Sequence, residues 1–233
     1  QPKVDMHNGH IIGGEALVRW QNDKEMIYPD QFIPVLEKNG YVIDVDNFIW
    51  NKVCACIKMM EDKGIEPVPI SVNVSRMHVY QEKFTENLKN MAGEYGIDPK
   101  YIPLEITESA FTKEEGSLFK KVQSLQGYGF KFSMDDFGSG YSSLGMLKSE
   151  RVDEVKIDKT FVDDIATDKG KVLLGNVIRM INELGIDMIA EGVETKEQAD
   201  FLKENGCMYA QGYYYYKPMP IEEFAKLLEN SAR

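Results

Sequence analysis

Two adjacent carboxylates, Asp135 and Asp136, stand where a strand-like run from Phe130 to Asp135 gives way to the loop Gly138-Ser139-Gly140-Tyr141-Ser142-Ser143-Leu144. Paired carboxylates of this kind read as oxygen ligands for a divalent cation. Neighbouring side chains on a strand point to opposite faces, so both reach one centre only if the strand ends at Asp135 and the backbone turns there. Gly138 and Gly140 permit such a turn. An acidic residue beside Gly is also a common solvated turn, and the pair alone does not separate the two readings.

The elements that must position this pair follow from periodicity and from stop signals. Gln1 to Met6 and Ile11 to Trp20 flank an Asn8-Gly9 turn and predict an antiparallel hairpin. Strands then alternate with helices to the end of the chain. Strands are predicted over residues 68–74, 102–106, 130–135, 152–157, 187–190 and 208–211. Helices are predicted over 29–38, 45–63, 84–95, 113–126, 169–184, 196–205 and 221–230. The pattern and length suit a single α/β domain over residues 1–233, a (β/α)8 TIM-like barrel with an antiparallel first strand. A doubly wound sheet is the alternative, but no Gly-x-Gly-x-x-Gly turn follows an early strand.

Reading these strands with period two places polar groups on shared faces. Glu15 shares a face with Leu17 and Arg19, and Ser71, Asn73 and Ser75 share another. Glu105 lies opposite Leu104 and Ile106, and Lys156 falls on the side of Asp158. Glu191 and Gln211 finish their strands. In a barrel these groups meet at the C-terminal mouth, bringing Glu15, Asn73, Glu105, Asp135, Asp136, Lys156, Glu191 and Gln211 together. Such a density of carboxylates, balanced only by Lys156 and Arg19, has to be protonated or neutralised by metal. Oxygen donors with one Asn and no His or Cys select hard cations such as Mg2+ or Mn2+.

Composition narrows the partners. A net charge of −11 argues against wrapping a nucleic-acid polymer, while leaving room for a small phosphorylated ligand. Three cysteines, Cys54, Cys56 and Cys207, read as buried apolar residues and favour a reducing, cytoplasmic location. No run approaches a membrane span, so this segment is not expected to contact a membrane, although the full-length protein could carry an anchor. His7 and His10 read as loop residues. The Tyr213-Tyr214-Tyr215-Tyr216 run reads as strand-end and loop packing. The opening at Gln1, inside a strand-like segment, suggests a domain excised from a longer protein.

Taken together, these residues give the chain a resemblance over nearly its whole length to the EAL-domain cyclic di-GMP phosphodiesterases. The motifs that carry it are Glu15-Ala16-Leu17 with Arg19, Ser71-Val72-Asn73-Val74-Ser75, Leu104-Glu105-Ile106-Thr107-Glu108-Ser109 and Asp135-Asp136-Phe137-Gly138. Lys156-Ile157-Asp158, Glu191-Gly192-Val193-Glu194 and Gln211-Gly212-Tyr213 complete the set. The resemblance implies hydrolysis of cyclic di-GMP to linear pGpG with two Mg2+ or Mn2+ ions. It implies Glu15, Asn73, Glu105 and Asp135 around one metal, with Asp135 bridging to a second held by Asp136 and Glu191. Catalytic roles fall to Lys156, Glu191 and Glu15, and substrate contacts to Gln1, Leu17, Arg19, Glu194, Gln211 and Pro218. It further implies a regulatory loop of Gly138, Ser139, Gly140 and Tyr141, anchored by Glu108 and leading to a homodimer interface. A sensory or GGDEF domain upstream in the full-length protein is a further implication. A catalytically silent cyclic di-GMP receptor is the competing reading, and a Mg2+-dependent barrel acting on sugar phosphates or enolates is a third.

Overall fold

The computed structural model describes residues 1–22, 25–107, 110, 115–138, 147 and 152–231. The opening hairpin is present as β1 (Pro2–Asp5) and β2 (Ile11–Ala16), joined through Gly9 in a left-handed conformation. After it come β5 (Ile70–Asn73), β6 (Leu104–Thr107), β7 (Phe132–Phe137), β8 (Glu154–Ile157), β9 (Asp187–Ala190) and β10 (Tyr209–Ala210). These strands close a barrel in the order β1-β10-β9-β8-β7-β6-β5-β2. β1 runs antiparallel to both of its neighbours, and the remaining pairings are parallel. The predicted barrel with its antiparallel first strand is therefore the observed architecture.

One predicted element is corrected. The second strand does not continue to Trp20 but ends at Ala16, and the chain leaves the barrel there. Trp20–Gln21 (β3) pairs instead with Met26–Ile27 (β4) in a separate two-stranded ribbon. The period-two face joining Glu15 to Arg19 consequently breaks after Ala16.

Helices cover the barrel because their apolar faces need a sheet to bury against. In α1 (Pro29–Asn39) a Pro occupies the first turn, and α2 (Val42–Asp62) buries Val42, Trp50, Val53, Ile57 and Met60 along one face. A short α3 (Arg76–Val79) follows β5, with Ser75 accepting the His78 backbone N–H as its cap. Beyond it lie α4 (Phe84–Tyr95), α5 (Glu115–Gln126), a short α6 (Lys159–Asp163), α7 (Asp168–Glu183), α8 (Lys196–Glu204) and α9 (Ile221–Ser231). A reciprocal capping box of Thr195 and Gln198 fixes the start of α8.

Between barrel and helices runs an apolar layer in which Val72, Leu104, Ile106, Val155 and Ile157 of the strands are fully buried together with Ile57, Leu88, Leu125, Ile178 and Leu202 of the helices. Each such aliphatic side chain stabilises the fold by roughly 1.5–3 kcal/mol. The three cysteines belong to this layer; burial pushes the Cys54 and Cys207 thiols up to about 12 and Cys56 to about 11. Thiols held that high are inert packing groups. Among the described residues no helix is long and apolar enough to cross a membrane.

Candidate metal and active site

The strands whose outward residues make the apolar layer turn their alternate residues into the barrel, and those are polar. Lys156, in β8, is 1% exposed, and its ammonium lies 2.8 Å from Glu105 Oε2, 2.9 Å from Asp135 Oδ1, 2.7 Å from Glu191 Oε1 and 3.4 Å from Glu15 Oε2. Three strands and the residue just after β9 thus place carboxylates around one buried cation. Amide side chains tie the ring together. Asn73 donates to Glu15 Oε1 at 3.1 Å, and Gln211 donates to Glu15 Oε2 at 2.6 Å and to Gln1 Oε1 at 3.0 Å.

The sequence reading missed a second buried cation. Lys3 of β1 is 5% exposed and reaches Glu105 Oε1 at 3.0 Å and Glu154 Oε1 at 3.5 Å, while Ser133 donates to that same Glu154 oxygen at 2.8 Å. Glu105 is therefore shared between two ammonium groups, one on each oxygen. The signal was available, since Lys3 alternates with buried Pro2 and Val4 along β1. Arg19, the other balancing cation expected from the sequence, makes no ion pair with these carboxylates among the described residues. It donates to the Val18 carbonyl at 2.8 Å and lies over the Tyr28 ring at 5.5 Å, because β2 has already ended.

Burial and neighbouring charge sort the carboxyls. Burial, with Asp135 and Glu15 adding to it, pushes Glu191 up to about 8 despite the opposing pull of Lys156. Glu15 is also raised, by burial first and by Glu105 next. Burial acts on Glu105 in the same direction, but Lys156 and Lys3 outweigh it and hold the group well below the usual carboxylate range. Lys156 itself is burdened by burial, yet the four carboxylates keep it firmly protonated.

Asp135 and Asp136 do share a centre, though not by the predicted route. The strand runs on to Phe137, and the change of direction is a bulge between Met134 and Phe137 in the pairing with β8. Its pivot is Asp136, at φ 55° the single left-handed non-Gly residue among those described. An Asp tolerates that region better than a branched residue, and the extra residue turns both carboxylates to one side. Oxygens of Asp135, Asp136 and Glu191 all lie within 4.8 Å of one another. Burial and the Asp135 charge raise Asp136. Among the described residues, Glu15, Glu105, Asp135, Asp136, Glu191 and Glu154 gather around the ammonium groups of Lys3 and Lys156, and an all-oxygen cluster with excess negative charge fits hard divalent cations.

Beside this cluster opens a cleft of about 710 Å3, lined by Gln1, Glu15, Leu17, Arg19, Tyr213 and Pro218 among others. Of the residues expected to contact substrate, Gln1, Leu17, Arg19 and Pro218 therefore share one wall system. Gln211 lies deeper, against Glu15. Glu194 stands apart from the carboxylate ring and pairs with Lys159 at the start of α6. Glu108, Ser139, Gly140 and Tyr141 lie outside the described residues. Gly138 is described: it has φ 96°, and the Phe161 ring of α6 occupies the space a Cβ would need. A smaller cleft of about 360 Å3, lined by Arg179, Asn182, Glu204 and Asn205, carries none of these groups.

A closed barrel of this topology, with carboxylates and a buried lysine at the C-terminal ends of its parallel strands, defines a (β/α)8-type domain with an acidic, metal-suited centre. The chain belongs to the EAL domain family, whose model matches residues 1–218. It is 35% identical over 225 residues to the oxygen sensor protein DosP of Escherichia coli, covering 96% of this chain and 28% of DosP. It is 33% identical over 225 residues to MucR of Pseudomonas aeruginosa, a bifunctional diguanylate cyclase/cyclic di-GMP phosphodiesterase, covering 96% of this chain and 33% of MucR. The chain thus spans about a third of the length of these curated relatives. Among solved structures it resembles the PaMucR phosphodiesterase in complex with c-di-GMP, with a TM-score of 0.91 at 33% identity over 96% of this chain and 92% of that one.

Proposed function

We propose that this chain is a metal-dependent phosphodiesterase that hydrolyses cyclic di-GMP to linear pGpG. The observation that carries the reading is the convergence of Glu15, Glu105, Asp135 and Glu191 on the Lys156 ammonium beside an open cleft. The relation to MucR, named for cyclic di-GMP hydrolysis and solved with that ligand, supports the choice of substrate.

Glu15, Asn73, Glu105 and Asp135 would hold one Mg2+ or Mn2+ ion, and Asp135, Asp136 and Glu191 a second. Bound there, such ions lower the pKa of a water and stabilise the attacking and leaving oxygens of an in-line displacement at phosphorus. The chain's own groups complete the site. Lys156 keeps its proton, orients the attacking water through an N–H and offsets charge that builds on phosphorus, where a fixed cation in a dry site is worth far more than in water. Glu191, 2.7 Å from the Lys156 ammonium that orients the water, is placed to accept its proton. Gln1, Leu17, Arg19 and Pro218 line the space for the substrate; the planar Arg19 fork suits a phosphate or a guanine edge. Gln211, held against Glu15, and Glu194, beside Lys159, would add further substrate contacts.

We assign the loop from Gly138 to Tyr141, with Glu108, the role of carrying control from a homodimer partner to this site. Asp136, the pivot of the bulge just before this loop, stands in the carboxylate cluster, and Gly138 packs directly on α6. The chain in Mg2+ or Mn2+ with cyclic di-GMP is expected to release pGpG, and Asp135→Asn to abolish release. Tight binding without product in either metal would replace the enzyme by a silent receptor.

A further inference from the structure

The segment that carries Asn73 is gripped from behind. Asp46 and Trp50 lie one turn apart on α2, so both side chains leave the same face of the helix. Trp50 donates its indole N–H to the Asn73 carbonyl at 3.1 Å. Asp46 Oδ2 accepts the Ser75 backbone N–H at 3.1 Å and contacts His78 Nδ1 at 3.1 Å. The His78 ring then stacks on Trp50, with centroids 4.3 Å apart and planes 13° from parallel. These three side chains are all buried.

The two groups so held, the Asn73 carbonyl and the Ser75 N–H, flank the point where β5 leaves the barrel ladder. The last ladder bond nearby runs from the Val74 N–H to the Glu105 carbonyl at 2.9 Å. The direction of the Asn73 side chain, which reaches Glu15 at 3.1 Å, is set by the orientation of its own peptide planes. Packing α2 against β5 would need only apolar residues. Instead the seam contains a carboxylate, an indole N–H and an imidazole whose Nε2 has no polar partner among the described residues. Buried polar groups of this kind are retained where their directional bonds matter.

We infer that Asp46 and Trp50, braced by His78, are positioning residues that aim Asn73 at the metal cluster. The inference rests on the proposed role of Asn73 as a metal ligand. Partners one step behind a ligand commonly change metal affinity by about 10- to 100-fold when removed.

The test is calorimetric titration of Mn2+ into the whole chain, paired with melting of the metal-free protein. Trp50→Phe keeps the stacked ring and loses the donor, and Asp46→Ala loses the acceptor; both are expected to weaken Mn2+ binding by about tenfold. Asp46→Asn still offers an amide oxygen to the Ser75 N–H and should stay within about twofold of the parent chain. Ile57→Val, buried on the same helix away from Asn73, should lower the melting temperature and leave Mn2+ affinity unchanged. Should Asp46→Ala fail to fold, Trp50→Phe carries the comparison. Equal Mn2+ affinity in Trp50→Phe and the parent chain overturns the inference, as does a loss in Ile57→Val that matches it. A parent chain that binds no Mn2+ overturns the metal reading of Asn73 itself, and this inference falls with it.

Discussion

Lys156 and Lys159 are three residues apart, and both are anchored by carboxylates. Lys156, inside the barrel, is 1% exposed and touches four of them; Lys159, at the start of the rim helix α6, is 44% exposed at its side chain and pairs with Glu194 and Asp163. Burial is the difference that matters. At the rim, water can replace a lost partner and an ion pair is worth little. Inside, every charge depends on the protein for its solvation, so removing one group leaves others stranded. The barrel interior is therefore suited to chemistry that needs fixed charges, and the rim to contacts that can be made and released.

Removing the interior cation should give the largest effect. Lys156→Met keeps the aliphatic bulk and deletes the ammonium, and turnover of cyclic di-GMP, followed as pGpG release, is expected to fall by about 10³-fold. A fall of less than tenfold would take Lys156 out of the proposed reaction. Lys3→Met removes the other interior cation without touching the open cleft. It leaves Glu105 with one ammonium and Glu154 with Ser133 alone, and should lower unfolding stability by about 3–5 kcal/mol in urea titrations of the metal-free chain.

Those two lysines also mark what the sequence made legible. Lys156, Glu105 and Asn73 were readable because each interrupts an apolar strand at period two, a pattern a barrel converts directly into an inward direction. The βα alternation and the hairpin around Asn8-Gly9 were readable for the same local reasons. Lys3 is less legible in this way because it lies in the short opening strand, and its role appears only once β1 closes the barrel beside Glu105. Arg19 was misplaced because nothing local marks the end of β2 at Ala16, and the two-residue strands of the Trp20 ribbon are too short to show a period. The bulge at Asp136 follows from pairing with β8, and the Asp46–His78–Trp50 cluster joins α2 to a segment 23 to 32 residues onward. Long-range contacts of that kind leave no periodic trace in a chain.

Acidity supplies a finer test of the interior. Glu191 is held at about 8, mainly by burial, and a carboxyl must lose its proton to bind a metal. Below pH 8 metal binding should therefore expel close to one proton, and apparent affinity should rise by up to about tenfold per pH unit before levelling off above 8. Titrations in two buffers of different ionisation enthalpy measure the proton directly; no release at pH 6.5 would remove Glu191 from the ligand set. The sign for folding runs the other way. A carboxyl raised from 4.5 binds its proton more tightly folded than unfolded, so its contribution to metal-free stability is fully present below 4.5 and is lost as pH rises through 8.

The rim should respond least. Lys159→Ala breaks the pairs to Glu194 and Asp163, both groups being about half exposed, and the change in stability should stay below about 0.5 kcal/mol and vanish in high salt. Its informative readout is the Michaelis constant. With Lys159 gone, Glu194 is free to meet substrate without giving up a partner, so KM should move while kcat holds. A kcat loss approaching that of Lys156→Met would mean that α6 transmits directly to the catalytic centre, through Phe161 on Gly138, and the division between a fixed interior and an adjustable rim would have to be redrawn.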